Sequence, residues 1–191
     1  MINKRILQCF LLVFLGFISF GLQAQNFWSQ SSPEKSNQTP DEIIPYISEY
    51  SLFQLDYENI QKALKNTPEE FSKKTGKYVT FPMPNGDIEG FHVYHSPIME
   101  PGLQAKYPNM RNYKVIGKDN PKLQGRIGVS ISGFHASINT PEGRFYIDRY
   151  SSDSNSEYAV YYTKNYTKDQ SSLPACGVSG TESEKYLEEF D

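Results

Sequence analysis

The strongest strand signal of this chain lies between Gly125 and Tyr150, in the stretch GRIGVSISGFHASINTPEGRFYIDRY. Small or polar residues alternate in it with six apolar residues, which are Ile127, Val129, Ile131, Phe134, Ala136 and Ile138. A repeat of two residues is typical of a strand that buries one face. The pattern therefore predicts two antiparallel strands joined at Ser132-Gly133. We expect Ile127, Val129 and Ile131 on the core side of the sheet.

A second hairpin is predicted upstream of this stretch. The strand-like segments 77–84 and 87–96 flank Asn85-Gly86, the dipeptide that most readily adopts the positive φ angles of a type I′ turn. Pro82 and Pro84 lack an amide donor, so the first of these two strands is expected at a sheet edge or to end early.

Helix signals are few. Asp56 is a good N-cap for a helix that runs through Lys65, and Leu55 and Ile60 have the spacing of a hydrophobic staple. A short helical turn is expected near 101–107. With further strand patterns at 50–55, 144–148 and 158–163, the chain is predicted to be α+β and mostly antiparallel β. We expect five to seven strands and one or two short helices, as a twisted sheet wrapped around one helix or, alternatively, as a β-sandwich.

The first 25 residues have the pattern of an export signal. Lys4 and Arg5 precede an apolar stretch over 6–20, and Leu22-Gln23-Ala24 supplies the small-residue exit. Cleavage is expected after Ala24 or Gln25, and Cys9 leaves with the signal. About 15 apolar residues are short against the roughly 20 that span a bilayer. We therefore expect a secreted protein without a stable membrane anchor after cleavage.

The remaining chain is predicted to have three parts. Residues 26–42 are polar around Trp28 and are expected to form a flexible lead-in, residues 43–164 a β-rich body, and residues 165–191 a polar connector with Cys176. After signal cleavage the chain carries 17 basic and 22 acidic residues, a formal net charge of −5. Because binding to nucleic acid needs clustered Lys and Arg, a nucleic-acid partner is disfavoured.

Five short motifs between Val93 and Tyr150 carry a family resemblance. They are Met99-Glu100-Pro101, Ala105-Lys106-Tyr107-Pro108, Asp119-Asn120-Pro121, Gly133-Phe134-His135-Ala136 and Tyr146-Ile147-Asp148. This region resembles the pro-domain of secreted bacterial zinc metalloproteases with a reprolysin-like catalytic domain. The resemblance implies a signal peptide, a pro-domain of about this size and a following catalytic domain with a His-Glu-x-x-His zinc helix.

This chain by itself is not expected to be catalytic. Its three histidines are His92, His95 and His135, and none is followed by Glu. The zinc helix of such a protease therefore cannot be built from these residues. Zinc is implied only in the catalytic domain, which is the expected partner.

Cys176 is the candidate site residue. It is the only cysteine left after signal cleavage, so it cannot form an internal disulfide. A thiolate can take the open fourth position of a catalytic zinc, at about 2.3 Å, and displace the attacking water. Pro174, Cys176, Gly177 and Val178 resemble the cysteine switch of matrix metalloproteases, although Ala175 replaces its arginine. The alternatives are an intermolecular disulfide and a thiol without a role.

Three other residue sets are weighed against simpler interpretations. His92 and His95 are three apart in a strand and should point to opposite faces, so they should not chelate one ion. The acidic pairs Glu69-Glu70 and Glu188-Glu189 are assigned to solvated faces. A carbohydrate-binding face is conceivable, although tyrosines half-buried on a sheet are the simpler explanation of its members. Those members would be Tyr146, Tyr150, Tyr158, Tyr161 and Tyr162.

The sequence therefore predicts a secreted, pro-domain-like module that assists the folding of a reprolysin-like zinc metalloprotease and keeps it latent. Cys176 is the candidate inhibitory zinc ligand. The alternatives are a free-standing secreted protease inhibitor and a β-rich extracellular binding or adhesion module.

Overall fold

A computed structural model describes residues 26–167. It contains nine strands, β1 (Trp28–Ser31), β2 (Ser51–Leu55), β3 (Lys77–Pro82), β4 (Ile88–His95), β5 (Arg111–Gly117), β6 (Gln124–Ser130), β7 (Gly133–Thr140), β8 (Gly143–Arg149) and β9 (Glu157–Tyr162). Two α-helices are present, α1 (Tyr57–Leu64) and α2 (Pro101–Lys106). Short 3-10 turns occur at Pro33–Lys35, Ile44–Tyr46 and Thr163–Asn165.

All nine strands belong to one antiparallel sheet in the order β1-β2-β9-β8-β7-β6-β5-β4-β3. The predicted α+β class with mostly antiparallel strands is confirmed. The sheet has nine strands and not the predicted five to seven, and the two that the sequence patterns did not predict are β1 and β5. From β3 to β9 each strand pairs with the next one in sequence, so the greater part of the sheet is a meander.

The sheet curls until its two edges approach the same central residue. Trp28 on edge strand β1 and Phe81 on edge strand β3 both contact Phe134 on β7, with ring centroids 5.4 and 5.7 Å apart. Ser51 Oγ donates a hydrogen bond to Pro84 O (2.8 Å), which joins β2 to the β3–β4 turn. The concave face therefore encloses the main core.

Helix α1 packs against this concave face. Ile60 and Leu64 are fully buried and belong to the same core as the inward-facing strand residues. Asp56 caps the helix as predicted, since its side chain accepts from the Asn59 amide (3.2 Å). The arrangement is a single sheet wrapped around one helix, as expected, and not a sandwich of two sheets.

The β3–β4 hairpin is confirmed, but its turn type is not the predicted one. Asn85 and Gly86 lie at the tip, and β3 is an edge strand. A type I′ turn needs positive φ at both central residues, whereas only Gly86 has one (92°). The Met83 amide donates to Asp87 O (2.9 Å), so the loop contains three residues and begins at Pro84. Proline fixes φ near −65°, which is incompatible with the mirror-image turn.

The prediction that Ile131 lies in the core is wrong. Ile127 and Val129 are buried, but Ile131 is 83% exposed. Ser130 pairs with Gly133, which leaves Ile131 and Ser132 as a two-residue turn. Gly133 follows with φ +106°, a conformation that favours glycine. The alternation of apolar residues in the sequence continues to Ile131, one residue past the end of β6 at Ser130.

The prediction of a flexible lead-in over residues 26–42 is also corrected. Residues 28–31 form β1, which pairs with β2, and Trp28 is 2% exposed. Its ring meets those of Phe134 and Tyr158 edge-on at 5.4 and 5.6 Å. A single large aromatic side chain buries enough apolar area to order a short edge strand, whatever the average polarity of its neighbours.

A second, smaller core covers part of the convex face. Its buried members are Ile44, Ile47, Leu52, Tyr150, Ala159 and Tyr161. The end of the described chain is bonded beside it. The Ser48 amide donates to Asn165 O and the Thr167 amide donates to Tyr46 O, both at 2.8 Å. The β-rich body therefore includes Thr167, which lies past the predicted boundary at 164.

Candidate functional site

The five motifs of the family resemblance occupy distinct parts of the fold. Met99-Glu100-Pro101 begins α2, and Ala105-Lys106-Tyr107-Pro108 spans its end. Asp119-Asn120-Pro121 forms the β5–β6 turn, where the Leu123 amide donates to Asn120 O (3.0 Å). These three motifs start, stop or connect elements.

The other two motifs come together on neighbouring strands. Residues 133–136 begin β7 and residues 146–148 lie in β8, in a register that pairs Ala136 with Ile147. Alternate side chains point inward to the core. The remaining ones, His135, Tyr146 and Asp148, point outward and form a convex-face cluster with Tyr161 of β9.

Asp148 is the centre of this convex-face cluster. Its Oδ1 is hydrogen-bonded to His135 Nδ1, and its Oδ2 accepts from the Tyr161 hydroxyl (2.6 Å). The hydrogen bond to Asp148, with the attraction of its charge, raises the pKa of His135. Burial and the same carboxylate raise the pKa of Tyr161. A carboxylate acceptor requires the proton on Nδ1, so the cluster fixes the imidazole tautomer.

A second polar cluster lies beside β4, β5 and β6. Lys114 and Arg126 face each other across β5 and β6. Glu70 binds Lys114 Nζ (2.9 Å) and accepts from Ser96 Oγ (2.5 Å), while Arg126 donates to the same hydroxyl (3.0 Å). The Ser96 hydroxyl and then Lys114 hold the pKa of Glu70 below its usual range.

The assignment of Glu69-Glu70 to a solvated face is wrong for Glu70. Its side chain is only 13% exposed, whereas that of Glu69 is 65% exposed. The role of Glu70 is to offset two like charges that the strand register places side by side. No local pattern could reveal this, because its partners are 26 or more residues away in the chain. The pair Glu188-Glu189 lies outside the described residues.

A groove of about 530 Å³ lies between α1 and the β5–β6 strands. Its apolar lining includes Tyr57, Val129 and the exposed Ile131. Three cations, Lys62, Lys65 and Arg111, also line the groove, whereas no carboxylate of the described residues does. We call it the basic groove. Its lining residues come from three separate segments, 57–65, 108–113 and 129–131, so the groove could not be predicted from local sequence patterns.

No protein-family model, curated protein or solved structure matches this chain.

The two histidines of β4 are not brought together. They are three residues apart in β4, so their side chains point to opposite faces of the sheet, and each has its own hydrogen-bond partner. His92 Nδ1 lies 3.3 Å from Gly76 O, and His95 Nδ1 lies 2.9 Å from Glu69 Oε1. Within residues 26–167 no group of three or more His, Cys, Asp or Glu side chains could hold a metal ion.

The five tyrosines considered for carbohydrate binding do not share an exposed face. Tyr150, Tyr158 and Tyr161 are buried, at 5%, 0% and 5% exposure. Tyr158 and Tyr162 pack with the main core, whereas Tyr146 packs with the convex-face core. Packing against the two cores accounts for these residues, as the simpler interpretation predicted, although three of them are buried and only Tyr146 and Tyr162 are partly buried.

The predicted signal peptide and Cys176 both lie outside the described residues. Among residues 26–167, no helix has the length and apolar character to cross a membrane. For Cys176, the structure supplies the position of the chain that leads to it, at Thr167.

Proposed function

We propose that this chain is a pro-domain-like module of a secreted, reprolysin-like zinc metalloprotease, which assists folding of the protease and keeps it latent through Cys176. The observation that carries the proposal is the fixed exit of the chain from the body. Cys176 stands nine residues beyond that exit.

Three contacts fix the exit point. The amide and hydroxyl of Thr167 both donate to Tyr46 O, at 2.8 and 2.9 Å, and Tyr166 forms a β-bridge with Ile47. An extended chain of nine residues spans at most about 30 Å. A body docked beside a catalytic cleft would therefore keep Cys176 within reach of the zinc.

The chemistry of latency follows from the thiolate. A catalytic zinc holds three protein ligands and one water, and this water attacks the peptide bond once the metal has lowered its pKa. A thiolate in the fourth position removes that nucleophile. Pro174 and Gly177 flank Cys176 and disfavour helix or strand there, which suits a segment that enters a cleft.

The role in folding is supported by the topology of the body. Strands β3 to β9 pair in sequence order, and only the β4–β5 connection contains a helix, so most of the strand pairing is between segments close in the chain. Folds built from such contacts form faster than those that depend on distant pairing. The body can therefore fold first and present a finished surface to the segment that follows it.

The test is inhibition in trans. The chain from residue 26 to 191 is titrated against a purified reprolysin-like zinc catalytic domain, with Cys176→Ser as the variant and Ser172→Ala as the matched control in the same segment. Cys176→Ser should weaken inhibition at least about tenfold, equal to about 1.4 kcal/mol, because the hydroxyl is a poor zinc ligand. Ser172→Ala should inhibit like the parent.

Alkylation provides a second arm. Iodoacetamide treatment of the parent should reproduce the Cys176→Ser inhibition constant and leave the variant unchanged. Equal constants for parent and variant would remove Cys176 from the mechanism and leave steric blockage. If neither the parent nor Cys176→Ser inhibits the protease, the pro-domain proposal is overturned.

A further inference from the structure

We propose that the acidic segment 181–191 of this chain docks back into the basic groove. This contact lies within the chain and does not depend on the zinc-lock proposal. It concerns the segment that follows Cys176 and gives the groove its occupant.

The groove has the composition of a site for an anionic, partly apolar peptide. Tyr57 and Val129 offer apolar surface on two sides, and Ile131 projects at the groove with 83% of its surface exposed. An aliphatic side chain this exposed in a two-residue turn contributes little to the core. Together with Tyr57 and Val129 it gives the groove an apolar surface that a segment with apolar side chains can cover.

The three cations of the basic groove can still bind carboxylates. Lys65 has no ion-pair partner among residues 26–167, and Lys62 pairs only with Glu58, at 3.6 Å between strongly exposed side chains. Arg111 is held in place by two carbonyl oxygens, Pro108 O (3.3 Å) and Lys65 O (3.2 Å). A guanidinium has five N–H donors, so donors remain for a carboxylate.

The segment TESEKYLEEFD, residues 181–191, has the complementary chemistry. It carries five carboxylates and one lysine, together with Tyr186, Leu187 and Phe190. The stretch 168–180 between the body and this segment contains a single acidic residue, Asp169, so the negative charge is concentrated at 181–191. Opposite charge and available apolar side chains make this segment the occupant that the groove fits.

Chain length permits the contact. From Thr167 to Tyr186 the chain can span up to about 60 Å, whereas a compact body of this size has a radius of gyration of about 15 Å. Because the segment is tethered, its effective concentration at the groove is of millimolar order, and a weak contact suffices. Docking would hold both ends of the loop that contains Cys176. That loop would then lose less conformational entropy when Cys176 enters a cleft.

The test is paramagnetic broadening in the ¹⁵N-labelled chain 26–191. A nitroxide is attached to Ser183→Cys in a Cys176→Ser background, and amide signals are compared in the oxidised and reduced label. Docking predicts that the signals of Asn109, Ser130 and Ile131 are broadened strongly, and that the broadening weakens in high salt.

Substitutions then separate groove docking from random contact. Lys65→Glu combined with Ile131→Asp should abolish the broadening, while Lys122→Glu, an exposed lysine at the far end of β5, should preserve it. Restoring charge complementarity with Glu188→Lys and Glu189→Lys in the Lys65→Glu chain should recover part of the signal. Broadening that is absent from the parent, or that survives the groove substitutions in a folded variant, would overturn the proposal. Either result leaves the Cys176 inhibition test unaffected.

Discussion

The ring of Trp28 lies edge-on to the ring of Phe134, with centroids 5.4 Å apart, although three strands separate β1 from β7 in the sheet. Phe81 reaches the same ring from the opposite edge, at 5.7 Å, also across three intervening strands. Since β7 is the middle strand of nine, Phe134 is the residue at which the two halves of the curled sheet meet.

Removal of the Trp28 ring should weaken the packing between the two halves of the sheet. Trp28→Ala is expected to lower the free energy of unfolding by about 3–5 kcal/mol, because it leaves a cavity between Phe134 and Tyr158. Trp28→Phe should cost less. It keeps an aromatic contact and removes an indole N–H that has no hydrogen-bond partner among the described residues. Urea unfolding of both variants measures the difference, and equal losses would show that the ring contacts do not carry the stability.

Two isoleucines of the same alternating pattern should differ sharply in stability effect. Ile127→Ala is expected to cost about 2–5 kcal/mol, because Ile127 is 1% exposed in the core. In a chain that ends at Thr167, and so lacks segment 181–191, Ile131→Ala should change the free energy of unfolding by no more than about 0.5 kcal/mol, because its side chain is then largely solvated. Thermal or urea unfolding tests the pair. A large loss at Ile131 would contradict its position in the turn.

The His135–Asp148 pair should make stability depend on pH. The pKa of His135 is raised in the folded protein, so its stabilising effect is complete below the unfolded value of about 6.5 and is lost as pH rises through the folded pKa. The stability difference between the parent and His135→Gln should therefore be largest near pH 5.5 and shrink towards about pH 8.

Asp148→Asn supplies the control for this prediction. Without the carboxylate, the effect of His135→Gln should lose most of its pH dependence, since the hydrogen bond to Asp148 is the largest cause of the raised pKa. Unfolding midpoints measured across the same pH range provide the comparison. A pH dependence that persists in the Asp148→Asn background would assign it to another group.

Much of the candidate site depended on strand register and could not be predicted locally. The motifs around His135 and Asp148 can be recognised in the sequence, but their hydrogen bond cannot, because it needs β7 and β8 paired in one register. The burial of Glu70 cannot be predicted either, since Lys114 is 44 residues away in the chain. The basic groove joins α1 to two later segments, 108–113 and 129–131, and no short-range sequence pattern predicts that they meet.

Local sequence preferences account for three parts of the fold: the capped helix α1, the β3–β4 hairpin at Asn85-Gly86, and the alternation that makes β6 and β7. These follow from backbone preferences and side-chain periodicity within a few residues. Three other features can be known only from the folded chain: Trp28 is a core residue, Ile131 is exposed, and nine strands curl around one helix. Burial depends on which distant segments meet, and those meetings are fixed by the register and curl of the whole sheet.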